Sequence, residues 1–193
     1  MKFVIASHNK HKIEEFSRIL LPLGIEVITA DISDVEENGK TFMENSLLKS
    51  SSACKETSFP SIADDSGLCI DALNGEPGIY SARYAKEGER KATVLEKLKN
   101  ENNRKAHFVC AISCVFPNGD IIKTEEICSG EISRELMGDN GFGYDPIFMV
   151  ADKSFAQMSN DEKDKISHRG KALRAFRDKL SLYLKNGENN VNK

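Results

Sequence analysis

Apolar residues along the chain alternate between a strand-like period of two and a helix-like period near four. Lys2 to Ala6 is a short apolar run of strand type. After a polar loop, Ile13, Phe16, Ile19 and Leu20 recur at helical spacing until Pro22 and Gly24 end the pattern. Ile25 to Thr29 predicts a second strand. Thr41 and Glu44 fit a capping box opening a helix through about Thr57, with Phe42, Leu47, Leu48 and Ala53 as its apolar contacts.

The segment Ile62 to Leu68, "IADDSGL", reads as two short strands around a polar break, and the turn-rich "NGEPG" at 74–78 separates it from a charged helix near Glu89 to Asn100. His107 to Phe116 and Asp120 to Gly130 flank "PNG" at 117–119, a hairpin signal. Gly138 to Gly143, "GDNGFG", predicts a flexible loop before a return to strand at "YDPIF". Ser159 and Glu162 are placed to cap one helix. Ser167 starts a last amphipathic helix carrying Leu173, Phe176, Leu180 and Leu184. The tail from 186 to 193 is polar and predicts disorder.

The order strand, polar loop, helix, strand at the N-terminus suggests an α/β unit whose first loop lies at a strand's carboxyl end and faces a cleft. With 193 residues, 39% hydrophobic and 30% charged, one substantial core can form, which predicts a single domain over 1–185 with room for two lobes. A net charge of -3 argues against a broad nucleic-acid surface, and no basic run interleaved with aromatics appears. No apolar run approaches the about 20 residues that span a membrane. The five cysteines form no C-x-x-C pair, and with no signal-peptide pattern they point to reduced core residues and a cytoplasmic protein.

Charge placement narrows the chemistry. Ser7, His8, Asn9, Lys10, His11 and Lys12 put a hydroxyl, an amide and two ammonium groups ahead of a helix, a composition able to hold a polyphosphate or simply to form a solvated loop capped by Asn9. It is not a Walker A motif. Glu36, Glu37, Glu44, Asp64 and Asp65 are hard oxygen donors suited to Mg²⁺, whereas no His/Cys cluster has zinc spacing. Glu44 doubles as the partner of Thr41, and Glu36 and Glu37 fit an acidic surface run. Asp64 and Asp65 adjoin apolar runs, where a carboxylate needs compensation. Ser66 lacks the G-x-S-x-G context of a serine nucleophile. Phe142, Gly143, Tyr144 and Asp145, with Lys163, His168 and Arg169, offer aromatic faces and donors to a purine, or equally a core and a solvated helix start.

The segments "SHNKHK", "ENGKTFMENSLLKS", "IADDSGLCIDALNGEPGIYSARYA", "GFGYDPIF" and "EKDKISHRGKAL", in this order, resemble the signatures of the inosine triphosphate pyrophosphatase family, in particular its bacterial dITP/XTP branch. The resemblance implies an α/β fold: an elongated mixed β-sheet with flanking helices and two lobes around a central cleft. It further implies a homodimer and Mg²⁺-dependent hydrolysis of ITP, dITP and XTP to the monophosphate and pyrophosphate, which clears noncanonical purines from the nucleotide pool. It assigns Ser7 to Lys12 to the phosphates, Asp65 to catalysis, Asp65 to the metal together with Glu37 or Glu44, both of which match acidic positions with Glu37 favoured, and Ser66 to substrate contact. Phe142 to Asp145, Lys163, His168 and Arg169 fall on its nucleoside-binding positions. Family members often carry Gly where this chain has His11. The alternatives are a Maf-type pyrophosphatase of other base preference and a nucleotide-binding sensor without catalysis. Because strand side chains alternate, Asp65 is expected to face the cleft and Asp64 to act as a support bonded to backbone or to a basic side chain.

Overall fold

The computed structural model describes the backbone of residues 1–191 and the side chains of 1–10 and 12–186. Seven strands form one mixed sheet: β1 (Lys2–Ile5), β2 (Glu26–Ile28), β3 (Ser61–Ile70), β4 (Lys105–Val115), β5 (Ile121–Ile132), β6 (Phe148–Val150) and β7 (Lys153–Ser154), in the order β2-β1-β3-β4-β5-β6-β7. The helices are α1 (Lys10–Leu20), α2 (Phe42–Thr57), α3 (Arg90–Lys97), α4 (Asn160–Ile166) and α5 (His168–Val191). No described helix is long and apolar enough to cross a membrane.

The chain groups into two compact units, the first comprising 1–65, 111–125 and the segment from 172 onward, the second 66–110 and 126–171. In the first unit β1 pairs in parallel with β2, Phe3 opposite Val27, and with β3, Ile5 opposite Ile62. Parallel strands are covered on both faces, so Phe3, Val4 and Ile62 are fully buried without alternation. Phe16 and Leu20 supply the buried stripe of α1, and Gly24, at φ 68, ends the following turn in the left-handed region.

In the second unit β6 runs antiparallel to β5, Ile132 opposite Phe148, and to β7, Met149 opposite Ser154. Its core gathers Leu68, Ile70, Phe108, Phe148 and Phe155. In the first unit, the turn between β4 and β5 closes with the Phe116 N–H donating to the Asp120 carbonyl at 2.9 Å, and Gly119 takes φ +91 there. None of the five cysteines forms a disulfide, and four are buried.

Three expectations change. The "IADDSGL" segment is one unbroken strand, because Asp64 and Asp65 find polar partners inside and need no break. Helix α2 buries Phe42, Asn45, Ser46, Ser50, Ala53 and Cys54, while Leu48 stays 37% exposed, so half of its inward face is polar. That face is satisfied: Ser113 on β4 lies 2.7 Å from Ser46 Oγ and 2.8 Å from Ser50 Oγ, and Ser46 donates to the Ala63 carbonyl at 2.9 Å. Finally, α5 continues through Val191, past the point at 186 where disorder was expected; the last two tail residues lie outside the described residues.

Candidate active site

The first strand ends at Ile5 and the first helix starts at Lys10, which leaves Ala6 to Asn9 as a tight connection at a strand's carboxyl end. The Asn9 N–H donates to Ser7 Oγ at 3.2 Å, and Asn9 Oδ1 accepts the Lys12 N–H at 3.4 Å. Asn9 is therefore the helix cap, and the capped turn presents the helix's positive end beside the loop. A cavity of about 310 Å³ opens here, lined among others by Ser7, His8, Asn9, Lys12, Glu37 and Lys49. Lys10 is exposed, and the side chain of His11 lies outside the described residues.

Of the two neighbouring aspartates it is Asp64 that lines this cavity, against the expectation that Asp65 would be the one to face it, and the two carboxylates meet different partners. Asp64 Oδ2 lies 2.9 Å from Lys12 Nζ, so this carboxylate meets a basic side chain and fixes the lysine on the cavity wall. Asp65 Oδ2 accepts the Asn45 Nδ2–H at 3.1 Å, and its Oδ1 lies 3.9 Å from Lys49 Nζ. Burial pushes the Asp65 carboxyl above its ordinary pKa, and nearby Glu37 adds to this; Lys49, Asn45 and Lys12 pull the other way without prevailing.

Glu37 and Glu44 separate equally clearly. Glu44 Oε2 accepts the Lys40 N–H at 2.5 Å and its own N–H donates to Thr41 Oγ1 at 3.1 Å, which commits it to capping α2. Glu37 Oε1 instead lies 2.6 Å from Lys49 Nζ. Asn45 joins the two carboxylate-bearing segments, since its Oδ1 accepts the Gly39 N–H at 2.9 Å while its Nδ2 serves Asp65. A Cβ at Gly39 would lie 2.6 Å from that Oδ1, so the approach depends on glycine. Among the described residues no group of three or more His, Cys, Asp or Glu could hold a metal.

Asn45 and Lys49 join the site without being among the residues that sequence pattern singles out. Their signal is spacing: four residues apart, they share a face of α2, four and eight residues on from Thr41. Helical periodicity taken from Leu47 and Leu48 pointed to the opposite face.

The second unit holds the aromatic and basic residues. Gly141, at φ +75, brings the loop against Asp145, and a Cβ there would meet Asp145 Oδ2 at 2.1 Å. That same oxygen accepts the Phe142 N–H at 2.8 Å and the Lys163 ammonium at 2.6 Å, so the buried Asp145 organises the loop from beneath. Phe142 is 39% exposed, with Lys163 Nζ 4.9 Å and Arg169 Cζ 5.5 Å from its ring centre. Tyr144 turns inward instead: it is buried, its phenol donates to the Ser81 carbonyl at 2.9 Å, and desolvation pushes its pKa up to about 12. His168 is also buried, stacked on Phe108 with centroids 4.5 Å apart. Gly143 takes φ +60 between the outward Phe142 and the inward Tyr144. Ser66 follows Asp65 on β3 and is half-buried.

The fold and the first loop define an α/β protein with an Asn-capped strand-to-helix connection at the carboxyl end of β1. The Ham1 family model matches residues 3–179, and the chain belongs to the Ham1 family. It is 45% identical to the dITP/XTP pyrophosphatase of Clostridium perfringens, over 95% of this chain and 99% of that one. It is 47% identical to the dITP/XTP pyrophosphatase of Synechocystis, over 88% and 90%. Among solved structures, the Staphylococcus aureus Ham1 protein superposes with a TM-score of 0.85 at 44% identity, covering 97% of this chain and 100% of that one. A HAM1 protein from Coxiella burnetii gives 0.87 at 40% identity, covering 96% and 99%.

Proposed function

We propose that this protein hydrolyses dITP, XTP and ITP to the nucleoside monophosphate and pyrophosphate. The observation that carries the reading is the cavity of about 310 Å³ in which the donors Ser7, Asn9 and Lys12 face Glu37 and Lys49. Relatives named dITP/XTP pyrophosphatase, at 45% and 47% identity over most of the chain, support it.

The donor set fits a hard divalent cation. Glu37 and Asp65 already share the Lys49 ammonium as a stand-in charge, and two carboxylates suit Mg²⁺, which takes its remaining ligands from water and substrate phosphate. When bound, Mg²⁺ held by Asp65 and Glu37 supplies polarisation of the phosphate oxygens. Asp65 orients the attacking water and accepts its proton as the new O–P bond forms at the α-phosphorus and the bond to pyrophosphate breaks. Ser7, Lys12 and the backbone N–H groups from His8 to His11, across the loop and the first turn of α1, hold the departing phosphates, with the exposed Lys10 at the start of that turn.

Phe142 stacks on the base and Gly143 lets the loop close on it. Arg169 and Lys163 donate to the 6-keto oxygen of hypoxanthine or xanthine. Adenine presents an amino donor there, so it would strand the arginine. Asp145, Tyr144 and His168 hold this group in place, and Ser66 contacts substrate beside Asp65. The protein works as a homodimer in the cytoplasm, a state that light scattering checks. Release of pyrophosphate from ITP, dITP or XTP in the presence of Mg²⁺ tests the function; no turnover of any of the three would overturn it.

A further inference from the structure

Lys49 stands on α2 where the acidic segments converge. Its Nζ lies 2.6 Å from Glu37 Oε1 and 3.9 Å from Asp65 Oδ1, and its side chain keeps 18% of its exposure. The lysine thus holds the two carboxylates assigned to the metal, while also lining the cavity next to Ser7 and Lys12.

We propose that Lys49 is a placeholder cation: its ammonium neutralises Glu37 and Asp65 in the empty site, leaves them when a divalent cation binds, and turns to the substrate's phosphates. The inference rests on the assignment of Glu37 and Asp65 as the metal carboxylates. Two converging carboxylates without a counter-charge would be costly at this burial, so a tethered cation keeps the empty site folded. A lysine suits the task because its charge sits on a flexible four-carbon stem and moves without the backbone. One consequence is coupling. Metal entering alone must displace the ammonium, whereas metal entering with a triphosphate gives that ammonium a new partner, so each ligand tightens the other.

Mn²⁺ binding to the nucleotide-free protein, measured by calorimetry at pH 8, provides the test on the wild type, Lys49→Met, Lys49→Gln and Glu37→Gln. The lysine variants should bind Mn²⁺ about tenfold more tightly than the wild type, since the competing state is removed. Glu37→Gln should bind it more weakly. If Glu37→Gln binds as the wild type does, the metal assignment fails and the placeholder with it. If Glu37→Gln weakens binding while neither lysine variant tightens it, the assignment stands and the placeholder is overturned. Should the lysine variants not fold, the ¹⁵N spectrum of the wild-type lysine ammonium groups decides, with the Lys49 signal assigned through Lys49→Arg. Saturating Mg²⁺ should shift or abolish that signal, and an unchanged signal overturns the proposal.

Discussion

The Lys12 ammonium lies 2.9 Å from the Asp64 carboxylate, whose side chain retains 1% of its exposure. This contact ties the first turn of α1 to β3 within the first unit, and it spends one of two adjacent aspartates on positioning. Asp65, on the other strand face, meets Asn45 and Lys49 instead.

Removing one partner of that pair strands the other. Lys12→Met should cost about 3 kcal/mol of stability at neutral pH, and adding Asp64→Asn should return at least about 1 kcal/mol of it. Urea unfolding of the two single variants and the double variant measures the coupling. Effects that merely add would contradict the pairing.

Asp65→Asn should lower turnover by about 10² to 10⁴-fold, the usual contribution of a positioned base, with the fold intact by circular dichroism. Its effect on stability has a definite sign. Burial raises the folded-state pKa, so the contribution of this group is fully present below the unfolded value of about 3.9 and is lost as pH rises through the folded value. The asparagine variant lacks that loss and should gain stability relative to the parent as pH increases across this window. A constant difference between the two proteins would contradict the shifted carboxyl.

How far the sequence revealed this arrangement differs between the two units. In the first, the α/β unit and its loop at the carboxyl end of β1 followed from the order of elements, and the cap at Asn9 from the residue type. The polar face of α2 did not. Ser46 and Ser50 look solvated until Ser113, 67 and 63 positions away, supplies their partner, and no local pattern carries a contact of that range. In the second unit, the aromatic and basic residues were legible as a group, yet periodicity cannot tell the outward Phe142 from the inward Tyr144 across a glycine. The carbonyl of Ser81 decides that, 63 residues away.

Arg169→Ala should lower the preference for ITP over ATP, taken as the ratio of kcat/KM values, by about 10²-fold or more, because the stranded-donor penalty against adenine disappears. Steady-state kinetics on both nucleotides checks this. An unchanged ratio with a higher KM for both would reduce Arg169 to a general contact.

Gly170 lets α4 and α5 approach: a Cβ there would lie 1.9 Å from the Asp164 carbonyl oxygen. Gly170→Ala should cost about 1 to 3 kcal/mol through the forced shift and should raise KM for ITP, since His168 and Arg169 precede it directly. Thermal unfolding and KM are the measurements. A stable variant with native KM would show that the helix junction does not set the position of Arg169.

The phosphorus that water attacks defines the reaction. Hydrolysis of ITP in ¹⁸O-labelled water, with products resolved by mass spectrometry, reports it directly. Attack at the α-phosphorus, with the phosphates held by the loop from Ser7 to Lys12, yields pyrophosphate without label and IMP carrying one ¹⁸O. Orthophosphate as first product, or label in the pyrophosphate, would contradict it.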